Sequence, residues 1–207
     1  MSFLPQDYKA PEKTSRYMKF KQGINRFRIL SPAIVGYEYW TKENKPVRSR
    51  EEWEFIPQDI KLEVSGPNKG MPTRISHFWS FVVWNYEAKE VEKGKFQGAI
   101  QILHITQSSI QSQIKTGIDL RKGNATNNDI GVNREGEGFD TEYSVQFADP
   151  SPVPAEAEEA FKREKINLDA LFTGEDPFGS TTPTERGQSK GLTNNEETEI
   201  DVDGIPF

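Results

Sequence analysis

The sequence predicts an all-β domain, a small barrel with one short helix, long loops and an acidic C-terminal tail. Three observations predict it. Stretches with strand alternation recur from residue 17 to residue 147, separated by Gly, Pro and Asn turn signals. The densest, RISHFWSFVVWNY at residues 74–86, is β-branched and aromatic and apolar on both faces, as a central strand must be. From residue 173 onward Gly, Ser, Thr, Pro, Asn and Glu dominate, and such a segment cannot bury enough apolar surface to fold.

Taken in order, residues 1–16 are a polar, proline-containing arm with Lys9, Lys13 and Arg16. Tyr17-Met18-Lys19-Phe20 starts a strand, and Gln22-Gly23 marks a turn or bulge. Along residues 24–30, Phe27 and Ile29 fall on one face, Arg26 and Arg28 on the other, because strand side chains alternate. Residues 34–41 form another strand, with Tyr37 and Tyr39 on one face and Trp40 opposite. Residues 57–73 are turn-rich and predict a long loop or short hairpin. Within 74–86, His77, Trp79, Phe81 and Val83 share one face; Phe78, Val82, Trp84 and Tyr86 share the other. Alternation does not say which face is inside; one face in the barrel and part of the other free for ligand is the expectation.

Residues 89–95 predict a polar connection, and 96–105 a strand with Gly98 as a candidate bulge. Ser108 or Ser109 caps a short helix on which Ile110, Ile114 and Ile118 recur every four residues, with Gly117 placed to end it. Residues 129–148 read as two strands around Arg134-Glu135-Gly136-Glu137-Gly138. In the second, Phe139, Thr141, Tyr143, Val145 and Phe147 alternate with polar residues. Pro150, Pro152 and Pro154 then close the core, and residues 155–165 predict a helix with acids early and bases late. The expected division is a core at 1–149, a short helical extension at 150–172 and a disordered acidic tail at 173–207.

Composition narrows the function. The 207-residue chain has net charge −6 and no cysteine, so it has no disulfide framework and no thiolate metal site. No apolar run is long enough for a membrane span, and the N-terminal residues lack a signal-peptide core. A soluble cytoplasmic protein is expected. The charge is segregated: residues 1–50 carry 11 Lys+Arg against 4 Asp+Glu, and residues 173–207 carry 2 against 8. A basic first quarter with a detachable acidic arm suits a nucleic-acid surface.

The candidate binding residues follow from the same pattern. Arg26, Arg28, Lys42, Lys45, Arg48 and Arg50 are interleaved with Tyr37, Tyr39, Trp40 and Trp53, and Trp79 and Trp84 lie on the apolar strand. Cations neutralise phosphates, while rings stack on unpaired bases at about 1–3 kcal/mol each. Two histidines, scattered carboxylates and no phosphate loop leave little for catalysis, so no enzyme activity and no cofactor are expected.

The chain ends in Asp201-Val202-Asp203-Gly204-Ile205-Pro206-Phe207, two carboxylates before a stiff apolar hook. A small apolar pocket with a basic rim would hold it by carboxylate capture. This end resembles the acidic tip of bacterial single-stranded DNA-binding proteins, matching at Asp201, Asp203, Ile205, Pro206 and Phe207. Gly204 departs, standing where an Asp is usual, and dilutes the charge. The Arg134–Gly138 hairpin, the Thr141-Glu142-Tyr143-Ser144-Val145 strand and the Ile-rich helix resemble the core of single-stranded DNA-binding proteins encoded by bacteriophages.

These resemblances imply a five-stranded OB-fold barrel that sheathes single-stranded DNA in replication, recombination and repair, in the host cytoplasm. They imply that the tip recruits replication and recombination enzymes. Having no Cys and only His77 and His104, the chain lacks the ligands for the structural zinc of some phage relatives. A recombination mediator or strand-annealing protein is the alternative binding reading, and a metal-dependent nuclease the enzymatic one.

Overall fold

The computed structural model describes residues 15–121 and 123–179. It is predominantly β. The described elements run β1 (Tyr17–Met18), β2 (Gly23–Ile29), β3 (Ile34–Trp40), β4 (Pro46–Ser49), β5 (Ser76–Glu92), β6 (Lys95–Ile105), α1 (Ser108–Leu120), β7 (Asn128–Glu135), β8 (Glu142–Pro150), α2 (Ala155–Arg163) and α3 (Ala170–Thr173). All eight strands join one mixed sheet in the order β1-β6-β5-β2-β7-β8, with β3 on β5 and β4 on β3. The six-strand path does not close, and the sheet as a whole holds eight strands where a five-stranded barrel was expected.

β5 organises the sheet. Residues 76–80 pair with β3, residues 83–85 with β2, and most of its length with β6. One face sends Phe81 and Val83 into the main core with Phe27, Ile29, Leu103, Ile105, Ile130 and Val132, where α1 supplies Ile110 and Ile114. The opposite face sends Val82 and Trp84 into a second core with Ile100, under Ala157 and Ala160 of α2. Near the start of β5, Phe172 of α3 packs on Phe78 at 5.8 Å between ring centres. Both faces of the middle of the strand, residues 80–84, are therefore covered.

Helix α1 differs from expectation at both ends. Gln107, not a serine, occupies the N-cap, and its side chain makes no capping bond. Gly117 does not stop the helix, which continues to Leu120. It is glycine because the Phe147 ring of β8 fills the space that a Cβ would need. One turn earlier, the Gln113 amide docks on β8: Nε2 donates to Tyr143 O at 3.1 Å and Oε1 accepts from Val145 N at 3.0 Å. A side chain thus pairs with that strand as another strand would.

Residues 89–95, expected as a connection, instead complete a β5–β6 hairpin that turns at Gly94 with φ 75°. Backbone pairing does not require apolar side chains, so the polar composition was no obstacle. Gly98 stands at an irregularity, as expected: Asn85 pairs with Ala99 and Lys89 with Gln97, so residues 86–88 of β5 lie opposite Gly98 alone. A second register shift falls between Glu90 and Glu92, and Gly98 also makes room for the Trp84 indole. Residues 173–179, assigned from sequence to the tail, are packed: Pro177 is buried, and Phe178 meets Tyr17 edge-on at 6.3 Å. Residues 180–207, including Asp201, Asp203, Ile205, Pro206 and Phe207, lie outside the described residues. No described helix is long and apolar enough to cross a membrane.

Arg28 ties the two halves of the sheet together. It is 1% exposed and cannot meet a phosphate, contrary to the sequence reading. Its Nε donates to Asp129 Oδ1 at 2.5 Å, Nη1 to Thr126 O and Ser151 O, and Nη2 to Ser151 Oγ. Arg26 and the Tyr86 hydroxyl also donate to Asp129. Burial alone would raise the Asp129 pKa, but the bonds from Arg26, Tyr86 and Arg28 outweigh it and hold the carboxyl below its ordinary value. Burial and then the bond to Asp129 push Tyr86 up to about 12. Asp129→Ala leaves a guanidinium buried without its carboxylate, so chemical denaturation of this variant is expected to show a loss of about 3–5 kcal/mol.

Candidate nucleic-acid interface

The core-side face of β5 emerges into solvent toward its N-terminal end. Phe81 is 2% exposed, Trp79 is half-buried and His77 is exposed. Register places Val35 of β3 opposite Trp79 and Tyr37 opposite His77, so all four share this face. Val35 is 49% exposed, and the Tyr37 and His77 rings meet edge-on at 5.3 Å. Two residues along β3, Tyr39 continues the face, and Trp53 from the long β4–β5 connection meets it edge-on at 4.9 Å. A row of rings thus runs from Trp79 through His77 and Tyr37 to Tyr39 and Trp53.

Tyr39 supports this row from within. It is 5% exposed, so the sequence reading of it as a stacking ring is corrected. Its hydroxyl donates to Asp59 Oδ1 at 2.9 Å. Burial, then that carboxylate, raises its pKa. Trp84 is likewise corrected: it is 4% exposed and belongs to the second core. Trp79 has one side on the main core. Of the rings that the sequence put forward, those left accessible are Tyr37, Trp53, the outer part of Trp79 and, on the opposite face of β3, Trp40 at 45% exposure.

The cations divide in the same way. Lys42, Lys45, Arg26 and Arg50 are exposed. Lys42 Nζ donates to Gln58 O at 2.9 Å, and Lys45 pairs with equally exposed Glu43. Arg26 lies over the Tyr86 ring at 4.5 Å, and Arg50 over Phe172 at 4.5 Å while pairing with Asp169. Arg48 is turned inward: its side chain is 15% exposed and its Nε donates to Glu38 Oε2 at 3.0 Å. As a phosphate contact it is corrected. Sequence reasoning left out two residues here. His77 was recognisable as sharing a face with Trp79, and Arg74 stands exposed just before β5 with no hydrogen bond or ion pair among the described residues.

Behind the row, on the opposite face, Ser80, His104 and Glu38 line up. Ser80 Oγ lies 2.6 Å from His104 Nδ1, and His104 Nε2 lies 3.0 Å from Glu38 Oε1, too far off the N–H axis for a hydrogen bond. Three such residues suggest an activated serine. Ser80, however, is fully buried, and Phe78 stacks on the imidazole at 4.9 Å beneath Phe172. No substrate reaches that hydroxyl, so the cluster acts as a polar core joining β3, β4, β5 and β6. Among the described residues no three His, Asp or Glu side chains are grouped to hold a metal.

Comparison with protein-family models, curated proteins and solved structures finds no match.

Glu38 sets an acid limit on this region. Burial would raise its pKa, but His104 and Arg48 outweigh burial and lower it. A carboxyl with a depressed folded pKa binds fewer protons folded than unfolded, so its contribution is full above the unfolded value near 4 and lost as pH falls through the folded value. Thermal midpoints of the wild type are expected to hold from neutral pH to about pH 5 and fall below about pH 4. Glu38→Gln is expected to lower the neutral midpoint and make that acid limb shallower.

Proposed function

We propose that this chain binds single-stranded DNA without catalysis, laying bases on the Tyr37, Trp53, His77 and Trp79 face and phosphates along Lys42, Lys45 and Arg74. The observation that carries the reading is an aromatic core face that runs out into solvent, with exposed Lys42, Lys45 and Arg74 nearby in the chain, of which Lys45 pairs only with the equally exposed Glu43. Duplex DNA hides its base faces, whereas a single strand offers them to rings.

The sheet supports a finer fold reading. Taking β2 and β3 as one bent strand, followed by β5, β6, α1, β7 and β8, gives five strands with a helix between the third and fourth. Their order, β6-β5-(β2/β3)-β7-β8, suits an OB fold whose closing ladder is missing. OB folds use the face of their second and third strands for oligonucleotides. Here that outer face, on β5 and β6, is packed under α2 and α3, so the ligand belongs at the exposed end beside the long 41–75 connection. The acidic tip would recruit enzymes of replication and recombination in the cytoplasm of the host cell, as its sequence resemblance implies.

Intrinsic tryptophan fluorescence, titrated with single-stranded DNA, duplex DNA and RNA across salt, tests the reading. Trp53→Ala and Tyr37→Ala are each expected to cost about 1–3 kcal/mol of single-strand affinity. The Lys42→Ala, Lys45→Ala pair is expected to flatten the salt slope by about 1.4, at about 0.7 per phosphate. Tight binding to duplex alone, or shortening of the DNA with magnesium present, would contradict it.

A further inference from the structure

The β3–β4 turn, residues 41–45, faces residues 57–59 across a groove of about 520 Å³. Pro46 and Val47 give it apolar surface, and Thr41, Lys42, Glu43, Lys45, Gln58 and Asp59 give it polar groups, with Lys45 paired to Glu43 at 2.9 Å. The two walls are fastened to each other: Lys42 N donates to Asp59 O at 2.9 Å and Lys42 Nζ to Gln58 O at 2.9 Å. Tyr39 holds Asp59 from behind through Oδ1. That leaves Asp59 Oδ2 and the Gln58 side-chain amide without partners among the described residues. A preformed slot with an apolar side, an unused carboxylate oxygen, an unused amide and a lysine at its mouth matches one nucleotide.

We propose that this groove is a nucleobase subsite selecting bases that carry an exocyclic amine, a proposal that rests on the single-strand reading above. The base lies against Pro46 and Val47 with its amine donating to Asp59 Oδ2. The Gln58 amide meets the rest of its edge, and Lys45 exchanges its exposed partner Glu43 for the adjoining phosphate. A carboxylate accepts from an amine but repels a carbonyl, so cytosine fits where thymine and uracil present O4. Asp59 and Gln58 are exposed in the free protein, so discrimination comes from the water that the base displaces: a wrong base leaves Oδ2 neither hydrated nor paired.

The test uses the full chain and three fluorescent oligomers of equal length, dC, dT and dU, at neutral pH and fixed salt. The wild type is expected to bind dC about tenfold more tightly than dT or dU, roughly the worth of one hydrogen bond to a charged acceptor. Asp59→Asn keeps an oxygen for the Tyr39 hydroxyl and removes the carboxylate. The amide NH2 then stands in place of Oδ2 and donates to O4 instead of accepting from the amine, so the variant is expected to abolish or invert the dC preference without weakening dT binding. Equal affinities in the wild type, or a preference that survives Asp59→Asn, would overturn the subsite and leave single-strand binding standing. Failure of all three oligomers to bind would overturn both.

Discussion

A strand that is apolar on both sides must be covered on both sides, and β5 imposes that demand on the rest of this chain. Its core-side face is closed by side chains of β2, β6, β7 and α1, and its other face by α2 and α3. Each buried aliphatic or aromatic side chain on it contributes about 1.5–3 kcal/mol. Neither cover is therefore dispensable. The residues after β8 are part of the folded body for this reason, down to Phe172 and Phe178, and polar contacts such as Arg50 with Asp169 and Arg16 with Asp176 trim their edge. Near its start β5 leaves His77 and part of Trp79 uncovered, and residues 90–92 are exposed as well; function is assigned to the ring-bearing end by chemistry.

The second constraint is polar. Arg26 and Arg28 lie on the same face of β2, two residues apart, yet one is exposed and the other is sealed among Asp129, Thr126 and Ser151. A buried guanidinium is tolerable only when its donors are matched, and here they staple β2 to the start of β7 and the end of β8. The Gln113 contact to β8 plays a similar part at the outer strand. Together they hold an open sheet in a curved shape without a closing ladder.

Much of this was legible in the chain. Alternation located most of the strands, and the two-sided apolar run at 74–86 marked the central one. The Ile110, Ile114 and Ile118 spacing identified the helix. What could not be read was which side of β5 is the inside, because HFWSFVVWNY is nearly symmetric between its faces. The small apolar side of α2, Ala157 and Ala160, gave no hint that it would cover Trp84. Trp53 and Trp84 look equally available in sequence, and so do Arg26 and Arg28. Partners such as Asp129, about one hundred residues away, decide between them. Gly117 was misread for a related reason: it is small to admit a ring from another element rather than to end its own helix.

Hydrogen–deuterium exchange of the full chain, free and saturated with single-stranded DNA, tests most directly whether ligand meets the uncovered end of the sheet and leaves the covers in place. Protection is expected at residues 34–60 and 74–80, with exchange at residues 95–105 and 155–173 unchanged. Altered exchange in β6, α2 and α3, with residues 34–60 unaffected, would contradict the account.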